Sequence, residues 1–332
     1  MRTGRLLHLF LIVAVLALAE PPAGAQQAQK VPRIGFLGGA YPRSPILESF
    51  RQGLRELGYV EGQNIILEPR NSHGDTSQFH NLAAALVRLQ VDVIVAQNLD
   101  PTRAAMKATK TIPIVMTFPG DPVLLEFVAS LERPGGNVTG VSGLTAELGG
   151  KWLELVKETI PNARRVAVLW NRDAEYQFPT WKSVELAARS LKVDIEWVEI
   201  RGTFDFPRRF GSAIRGKPDA FIVLPGFAGF SGGRILQEIA EIGLKNRLPG
   251  IFWRTDLDLE QMGGLMAYGA NRAEQSRRAA YFVDKILKGA KPAELPVELP
   301  KSFELVINLK TAKEIGVTIP LGVLAWADRV IK

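Results

Sequence analysis

Short apolar runs alternate with amphipathic segments along most of the chain. Four runs in the first half have the length and composition of buried strands: residues 33–37, 64–68, 91–96 and 112–116. Between the first two, residues 45–57 place Leu47, Phe50 and Leu54 on one face at helical spacing. Strands that alternate with helices in this way run parallel and are joined by right-handed crossovers. The pattern therefore predicts an α/β fold built on parallel sheets.

The same pattern recurs in the second half of the chain. Three pairs of similar segments lie about 130 residues apart: 33–37 and 165–169, 90–95 and 218–223, and 111–115 and 247–251. This period is too long for a solenoid and indicates one α/β unit used twice. The predicted fold class is therefore α/β with two Rossmann-like lobes, each built on a parallel sheet. Two such lobes have a cleft between them where both sets of strand ends can meet.

After the second unit the pattern continues with a strand at 263–269, a helix at 272–288, a strand at 303–308 and a short helix at 309–315. These are about one strand and one helix more than the unit needs, so we expect the chain to return to the first lobe near Tyr268. Lobe 1 is then residues 31–140 plus about 270–300. Lobe 2 is residues 141–269 plus about 301–332. Several hinge crossings would join the two lobes.

The stretch from 111 to 143 is central to this arrangement. Its strand ends in a loop at residues 118–122, and Asp121 lies at that strand end before a predicted helical run. Residues 133–136, Arg-Pro-Gly-Gly, stop that run, and a short strand at 138–141 leads into the second lobe. Because ligands collect at the carboxyl ends of parallel strands, we interpret this stretch as both a binding loop and a hinge.

The first residues and the composition predict an exported, soluble globular protein. Arg2 and Arg5, an apolar run over 6–19 and small residues at 23–25 predict a leader over residues 1–25, cleaved before Gln26. An uncleaved anchor is the alternative. Cysteine is absent, so the chain has neither disulfides nor a thiol for lipid attachment, which predicts a protein free in a periplasm. The net charge of +7 comes without a Lys/Arg cluster, which argues against nucleic-acid binding.

The search for catalytic chemistry is mostly negative. His8 lies in the predicted leader, and His73 and His80 lack metal-ligand spacing. No Gly-rich loop has the spacing of a phosphate or dinucleotide site, so no cofactor is predicted. Ser231 stands in a Gly-x-Ser-x-Gly sequence, but no histidine follows it to act as a base. Asn137 matches a glycosylation pattern and is interpreted as structural. We therefore predict a protein that is not an enzyme.

Several runs resemble the ABC-transporter substrate-binding proteins of the tryptophan/tyrosine-binding type. They are residues 50–64 (FRQGLRELGYVEGQN), 91–96 (VDVIVA), 121–123 (DPV), 133–140 (RPGGNVTG) and 307–312 (INLKTA). The resemblance covers about residues 31–331. It implies a type I periplasmic-binding-protein clamshell, a small-molecule ligand in the cleft, an ABC permease as partner and no catalysis. Some members of the family bind aromatic amino acids.

One loop departs from the family pattern. After the third strand the family usually carries Gly-Thr or Gly-Ser, whereas this chain has Gln97-Asn98-Leu99-Asp100. Small donors beside a helix start suit a ligand carboxylate. Asn98 can still donate, but Asp100 would repel an anion. The resemblance together with this departure therefore predicts a ligand that differs from those of the characterised members.

The candidate ligand-binding residues lie at the predicted strand ends that face the cleft. They are Tyr41, Gln97, Asn98, Phe118, Asp121, Asn171, Arg172, Phe227, Trp253, Thr255 and Tyr268. Aromatic rings with a few polar anchors are typical of a small-molecule pocket. The alternative is that half of the rings belong to the core.

Roles follow from the chemistry of these side chains. Asp121 would accept from a ligand ammonium, or it caps the helix predicted after it. Asn98 and nearby backbone N–H groups would hold a carboxylate, to which Arg172 would pair from the other lobe unless it lies on the surface. The rings of Tyr41, Phe227 and Trp253 would stack on an apolar ligand side chain.

These features predict a monomeric periplasmic receptor for an amino acid or similar small carboxylate, feeding an ABC importer. One rival is a sensory receptor on the same fold that signals to a membrane protein. Another is an enzyme on a two-lobed α/β scaffold, against which the missing histidines and cofactor loops argue.

Overall fold

The computed structural model describes residues 30–38, 44–143, 146–171, 174, 177–201, 205–226 and 234–332. The predicted leader and the Ser231 loop lie outside these ranges. All elements given below belong to one unit, Pro32–Lys332. Within the described ranges, no helix combines the length and the hydropathy that a membrane span requires.

Five strands form the first sheet in the order β2-β1-β3-β4-β5, and all neighbours run parallel. They are β1 (Arg33–Gly38), β2 (Ile66–Asn71), β3 (Val93–Gln97), β4 (Ile114–Thr117) and β5 (Val138–Val141). The helices of this lobe are α1 (Pro45–Glu56), α2 (Phe79–Arg88), α3 (Leu99–Ala108) and, from late in the chain, α9 (Arg272–Leu287). Every residue of β3 is buried, as expected of a parallel strand covered on both faces. We call these elements the first lobe.

Seven strands form the second sheet in the order β12-β11-β10-β9-β8-β6-β7. They are β6 (Arg165–Asn171), β7 (Asp194–Ile200), β8 (Ala220–Val223), β9 (Gly250–Phe252), β10 (Met266–Ala270), β11 (Phe303–Asn308) and β12 (Arg329–Ile331). Its helices are α4 (Leu148–Thr159), α5 (Phe178–Leu191), α6 (Phe206–Arg215), α7 (Arg234–Lys245), α8 (Leu259–Met262), α10 (Leu309–Ile315) and α11 (Leu321–Ala325). We call these elements the second lobe.

The second sheet departs from the predicted all-parallel arrangement at one pair. Strands β10 and β11 are antiparallel, with Ala270 opposite Phe303 and Met266 opposite Ile307. The reason is the path of the chain. It leaves the sheet after Ala270, runs along the first lobe as α9, and returns at Phe303 to the end of the sheet that it left. The next strand must therefore run backward.

The predicted duplication is visible in the strand order. The first sheet has the order 2-1-3-4-5, and the strands 7-6-8-9-10 repeat it in the second. Matching contacts support the correspondence. Asp92 Oδ2 accepts from the backbone N–H of Arg33 at 2.7 Å, and Asp219 Oδ2 accepts from that of Arg165 at 2.9 Å. The three similar segment pairs correspond to β1 and β6, β3 and β8, and β4 and β9.

The helical run predicted after Asp121 is wrong. Residues 122–126 form turns, and none of residues 121–137 is helical. Glu126 takes a left-handed φ of 58°, which interrupts any helix there. Phe127 and Val128 then turn inward to join the core of the first lobe. Burial of these two side chains overrides the local helical pattern.

Within the described residues the chain passes between the lobes three times. It leaves β5 for α4, returns from β10 to α9, and crosses again before β11. The last passage lies against the first, because Glu298 forms a bridge with Val141 and the Thr139 hydroxyl donates to the Leu295 carbonyl at 2.7 Å. The crossing segments are therefore in mutual contact.

Helix α9 is fastened to the end of α1 by a tyrosine–carboxylate hydrogen bond. The Tyr59 hydroxyl donates to Asp284 Oδ1 at 3.0 Å. Burial, this hydrogen bond and the charge of Asp284 raise the pKa of Tyr59 to about 12. The folded-state pKa lies above the unfolded value of about 10, so the stabilisation is complete below pH ~10 and is lost as pH rises to about 12.

We expect Tyr59→Phe to lower the free energy of unfolding by about 1 kcal/mol at pH 8, because one partly exposed hydrogen bond is lost. The variant should also lose less stability than the unaltered protein between pH 8 and pH 11. Urea denaturation at both pH values measures this. Equal losses in the two proteins would contradict the assignment.

Candidate functional site

Three charged side chains meet where strands of both sheets end. Asp256 accepts two hydrogen bonds from Arg254, at 3.1 Å from Nε and 2.7 Å from Nη2. Arg272 Nε lies 3.2 Å from Asp256 Oδ1, the oxygen that also accepts from Arg254 Nε, in ion-pair contact. The side chains are 19% (Arg254), 15% (Asp256) and 5% (Arg272) exposed. We call these three residues the Arg–Asp–Arg cluster.

Arg272 connects this cluster to the first lobe. It is the first residue of α9, whose start is fixed by Asn271, the Oδ1 atom of which accepts from the Glu274 N–H at 3.0 Å. The Arg272 Nη2 atom donates to Asn98 Oδ1 at 2.9 Å. Its Cζ atom lies 3.9 Å from the centre of the Phe118 ring. Arg272 therefore contacts the ends of β3 and β4 as well as the loop after β9.

Burial and mutual attraction fix the charges of the cluster. Burial disfavours the charged form of Asp256, but the two arginines and the hydrogen bonds from Arg254 outweigh it, so the pKa of Asp256 lies far below its usual value. Burial lowers the pKa of Arg272 to about 10, with Asp256 opposing the shift. All three groups are thus charged at neutral pH, and the cluster has one excess positive charge.

Asn98 and Gln97 lie where the sequence predicts them, at the end of β3. Asn98 has a left-handed φ of 72°, and its N–H donates to the Thr117 carbonyl at 2.6 Å. Its side-chain oxygen is used by Arg272. Gln97 is 3% exposed and packs against Gly38, where an added Cβ would lie 2.6 Å from Gln97 Oε1. A direct ligand contact of either residue stays a prediction.

Phe118 and Asp121 share the loop after β4 and have different surroundings. Phe118 takes a left-handed φ of 57° and places its ring against Arg272. Asp121 Oδ1 accepts from the N–H groups of Val123 and Leu124 at 3.0 and 3.1 Å. These hydrogen bonds match the capping alternative, although they cap a turn rather than a helix. The ammonium role of Asp121 stays a prediction.

The predicted residues of the second lobe occupy three different positions. Asn171 is 8% exposed, and its amide donates to the Gly226 carbonyl at 3.1 Å, which joins the ends of β6 and β8. Trp253 places its ring centre 5.8 Å from Arg254 Cζ and 5.9 Å from Arg272 Cζ. Thr255, within the cluster loop, is 2% exposed. Of the predicted second-lobe residues that the structure describes, Trp253 and Thr255 lie at or beside the cluster.

Tyr268 is held by the second lobe. Its ring stacks on Phe303 with centres 6.1 Å apart, and its carbonyl oxygen accepts from the Trp152 indole N–H at 2.7 Å. Burial raises the pKa of its hydroxyl. The ring is half-buried beside the core of the second lobe, and a ligand contact of Tyr268 stays a prediction. Tyr41, Arg172 and Phe227 lie outside the described residues, and their roles stay predictions.

The sequence reasoning missed Arg254 and Arg272 and gave Asp256 no role. The sequence signal for the cluster was the spacing Arg254-Thr255-Asp256. Two opposite charges so close together in a loop that is predicted to face the cleft indicate a buried ion pair. Three further buried polar atoms near these strand ends have no hydrogen-bond partner among the described residues: Thr117 Oγ1, Ser142 Oγ and Gln275 Oε1. The described residues contain no cluster of His, Asp or Glu that could hold a metal.

The chain is similar to several known proteins over most of its length. The model of the family described as ABC transporter substrate binding protein matches residues 42–331. A tyrosine-binding protein of Clostridioides difficile is 28% identical over 266 residues, which are 80% of this chain and 75% of that protein. The solved structure of an ABC domain from Streptococcus pneumoniae in complex with L-Trp is 28% identical, with a TM-score of 0.79, covering 90% of this chain and 99% of that chain.

A leucine-binding protein from Thermotoga maritima is 16% identical with a TM-score of 0.58, covering 86% of this chain and 87% of that chain, and shows the shared fold alone. The fold is that of the type I periplasmic binding proteins, as expected from the sequence. The matched residues include nearly all elements of both lobes, and the family is one of solute-binding proteins rather than enzymes. This chain belongs to the family of ABC transporter substrate-binding proteins.

Proposed function

We propose that this protein captures an amino acid or another small, mainly aromatic carboxylate between its lobes and delivers it to a membrane permease. The observation that carries the proposal is the position of Arg272, which contacts the strand ends of both lobes at once. A ligand bound there would stabilise one arrangement of the lobes over others. The relatives described as binding tyrosine and L-Trp support an aromatic amino acid.

The protein would act by closing its two lobes around the ligand. Residues 31–140 with about 270–300 would move against residues 141–269 with about 301–332, and the three crossings would be the hinge. Closure would bury the ligand and present a closed surface to the permease. Residues 1–25 would direct export, and the mature protein would act as a monomer in the periplasm.

A thermal-shift screen tests this function. The protein without residues 1–25 is heated with each natural amino acid, then with aromatic acids that lack an amine. A ligand at about 100 times its dissociation constant adds roughly 2.7 kcal/mol, which raises the melting temperature by several degrees. No shift with any amino acid or aromatic acid would contradict the proposal.

The ammonium role of Asp121 has its own test. Asp121→Asn keeps the oxygen that accepts from Val123 and Leu124 but removes the charge. If Asp121 pairs with an ammonium, affinity for tyrosine or tryptophan should fall about tenfold or more, which is ~1.4 kcal/mol. Affinity for the matching acid without an amine should not change. Calorimetric titration measures both.

Asp75→Asn is the matched control. Asp75 likewise accepts from a nearby backbone N–H, that of Ser77 at 3.0 Å. It lies in the segment between β2 and α2 and not in the loop after β4 that contains Asp121. It should leave both affinities unchanged. An Asp121→Asn protein that binds the amino acid as tightly as the unaltered protein would reduce Asp121 to a turn cap.

A further inference from the structure

The Arg–Asp–Arg cluster has more positive charge than its own residues neutralise. Arg254 and Arg272 both approach a single carboxylate, and they reach the same oxygen atom of Asp256. The other described partner of the Arg272 guanidinium is neutral, the amide oxygen of Asn98. A buried charge without a counter-charge is unfavourable unless a ligand supplies one. Among the residues that the structure describes, the cluster therefore lacks one negative charge.

Buried hydrogen-bond donors beside the cluster also lack partners. Arg272 Nε makes an ion-pair contact with Asp256 Oδ1 at 3.2 Å and no further contact with a described polar atom. The indole N–H of Trp253 is buried and has no hydrogen-bond partner among the described residues. The hydroxyls of Thr117, at the end of β4, and of Ser142, after β5, are also buried without a described partner. Buried donors without partners mark places where a polar ligand group is expected.

The orientation of Arg272 suits the binding of an oxyanion. Its Cζ atom lies over the Phe118 ring, 3.9 Å from the ring centre. A guanidinium that packs on an aromatic ring keeps the N–H groups at its edge for hydrogen bonds. Arginine in this setting favours planar carboxylates, which can accept two N–H groups at once.

The same arrangement disfavours a cation. Asp256 is the acidic member of the cluster and is already engaged by both arginines. An ammonium placed beside it would meet two guanidinium groups at short range. Like charges at such distances repel strongly in a site with little solvent. The cluster should therefore discriminate between the two ends of an amino acid.

We propose that Arg254 and Arg272 bind the carboxylate of the ligand, so that the site selects aromatic acids and amino acids and rejects the corresponding amines. The inference rests on the proposed function and identifies the ligand group that the cleft requires. The sequence analysis predicted that Asn98 and nearby backbone N–H groups bind the ligand carboxylate. The present inference assigns that carboxylate to Arg254 and Arg272 instead. Asn98 becomes a positioning residue that orients Arg272.

Three compounds with one aromatic group provide the test: tyrosine, 3-(4-hydroxyphenyl)propionate, which lacks the amine, and tyramine, which lacks the carboxylate. The tryptophan series (tryptophan, indole-3-propionate, tryptamine) is run alongside. Dissociation constants are measured by calorimetric titration of the purified protein. In at least one series we expect the amino acid or the acid to bind at least about tenfold more tightly than the amine.

The variant Arg254→Gln should weaken binding of the acid about tenfold or more, because one charged donor is lost while Asp256 keeps Arg272. Arg33→Gln is the matched control. Arg33 also forms an ion pair, with Glu68 at 3.2 Å, but it is the first residue of β1 and lies at the opposite end of the sheet from the strand ends beside the cluster. Its replacement should leave the dissociation constants unchanged.

The outcomes separate this inference from the proposed function. Amines that bind as tightly as the acids would overturn the inference, while a receptor for small molecules in the cleft would stand. An Arg254→Gln protein that melts normally and binds the acid with unchanged affinity would also overturn it. If Arg254→Gln does not fold, the compound series on the unaltered protein decides. No binding by any compound in either series would overturn the inference together with the aromatic ligand class.

Discussion

Replacing Asp256 by asparagine should lower the free energy of unfolding by about 3–5 kcal/mol, the usual cost of removing one partner from a buried ion pair. The substitution keeps the shape of the side chain and removes its charge. Arg254 and Arg272 would then face each other with no compensating carboxylate, in a site where the arginines are 19% and 5% exposed. Asp256 is the residue whose charge allows both guanidinium groups to be buried.

Urea denaturation measures the loss, and Asp205→Asn is the matched control. Asp205 also pairs with two arginines, Arg208 and Arg209, but these are 79% and 38% exposed. Solvent screens that pair, so its loss should cost far less stability than the loss of Asp256. The double variant Asp256→Asn with Arg254→Gln should be more stable than Asp256→Asn alone, because it removes one of the unpaired charges. Equal effects of Asp256→Asn and Asp205→Asn would show that the cluster carries no special burial cost.

Gly140→Ala should destabilise the protein by on the order of 3 kcal/mol or more, through strain and overlap together. Gly140 lies on the crossing strand β5 with a φ of +132°, a conformation that residues with a side chain rarely adopt. An added Cβ would lie 2.2 Å from the Met116 carbonyl oxygen and 2.8 Å from the Met116 nitrogen. Both are backbone atoms of β4, so no side chain can move to make room.

Gly136→Ala is the control for this prediction. Gly136 lies four residues earlier, and nothing is within 4 Å of the position its Cβ would take. Its replacement should change the free energy of unfolding by less than about 1 kcal/mol. The crossing strand β10 has a similar constraint, since a Cβ on Gly269 would lie 2.2 Å from the Trp253 carbonyl oxygen. A Gly140→Ala protein as stable as the Gly136→Ala protein would contradict the argument.

The sequence allowed the sheets to be predicted because parallel strands are buried on both faces. Such strands read as unbroken apolar runs, and the runs at β1, β3, β6 and β8 are of this kind. Because these runs recur in a similar order, the duplication could be predicted from the sequence alone. The starts of strands were less certain. The second strand begins at Ile66, two residues after the predicted start, since apolar character alone does not fix where pairing begins.

The site was harder to predict because its members come from two separate segments, the loop after β9 and the start of α9. Arg254 and Arg272 lie on either side of β10, and neither stands in a recognisable motif. Nothing local indicates that both reach Asp256, since that depends on where α9 begins after the chain has left the second sheet. The stacking of Tyr268 on Phe303 is similar, because it arises from an antiparallel pair that the helix–strand alternation does not predict. Contacts made across reversals of the chain are not encoded in local periodicity.

The late return of the chain to both lobes has a consequence for folding. Phe282 and Val283 of α9 complete the core of the first lobe, and Ile307 and Val323 complete one core of the second. The Ser276 hydroxyl donates to the Ile46 carbonyl across 230 residues of sequence. Contacts of such long range form slowly. A chain that ends before residue 272 leaves an apolar face uncovered in each lobe, so protection from proteases and aggregation requires the segment from 272 to 323 to be in place.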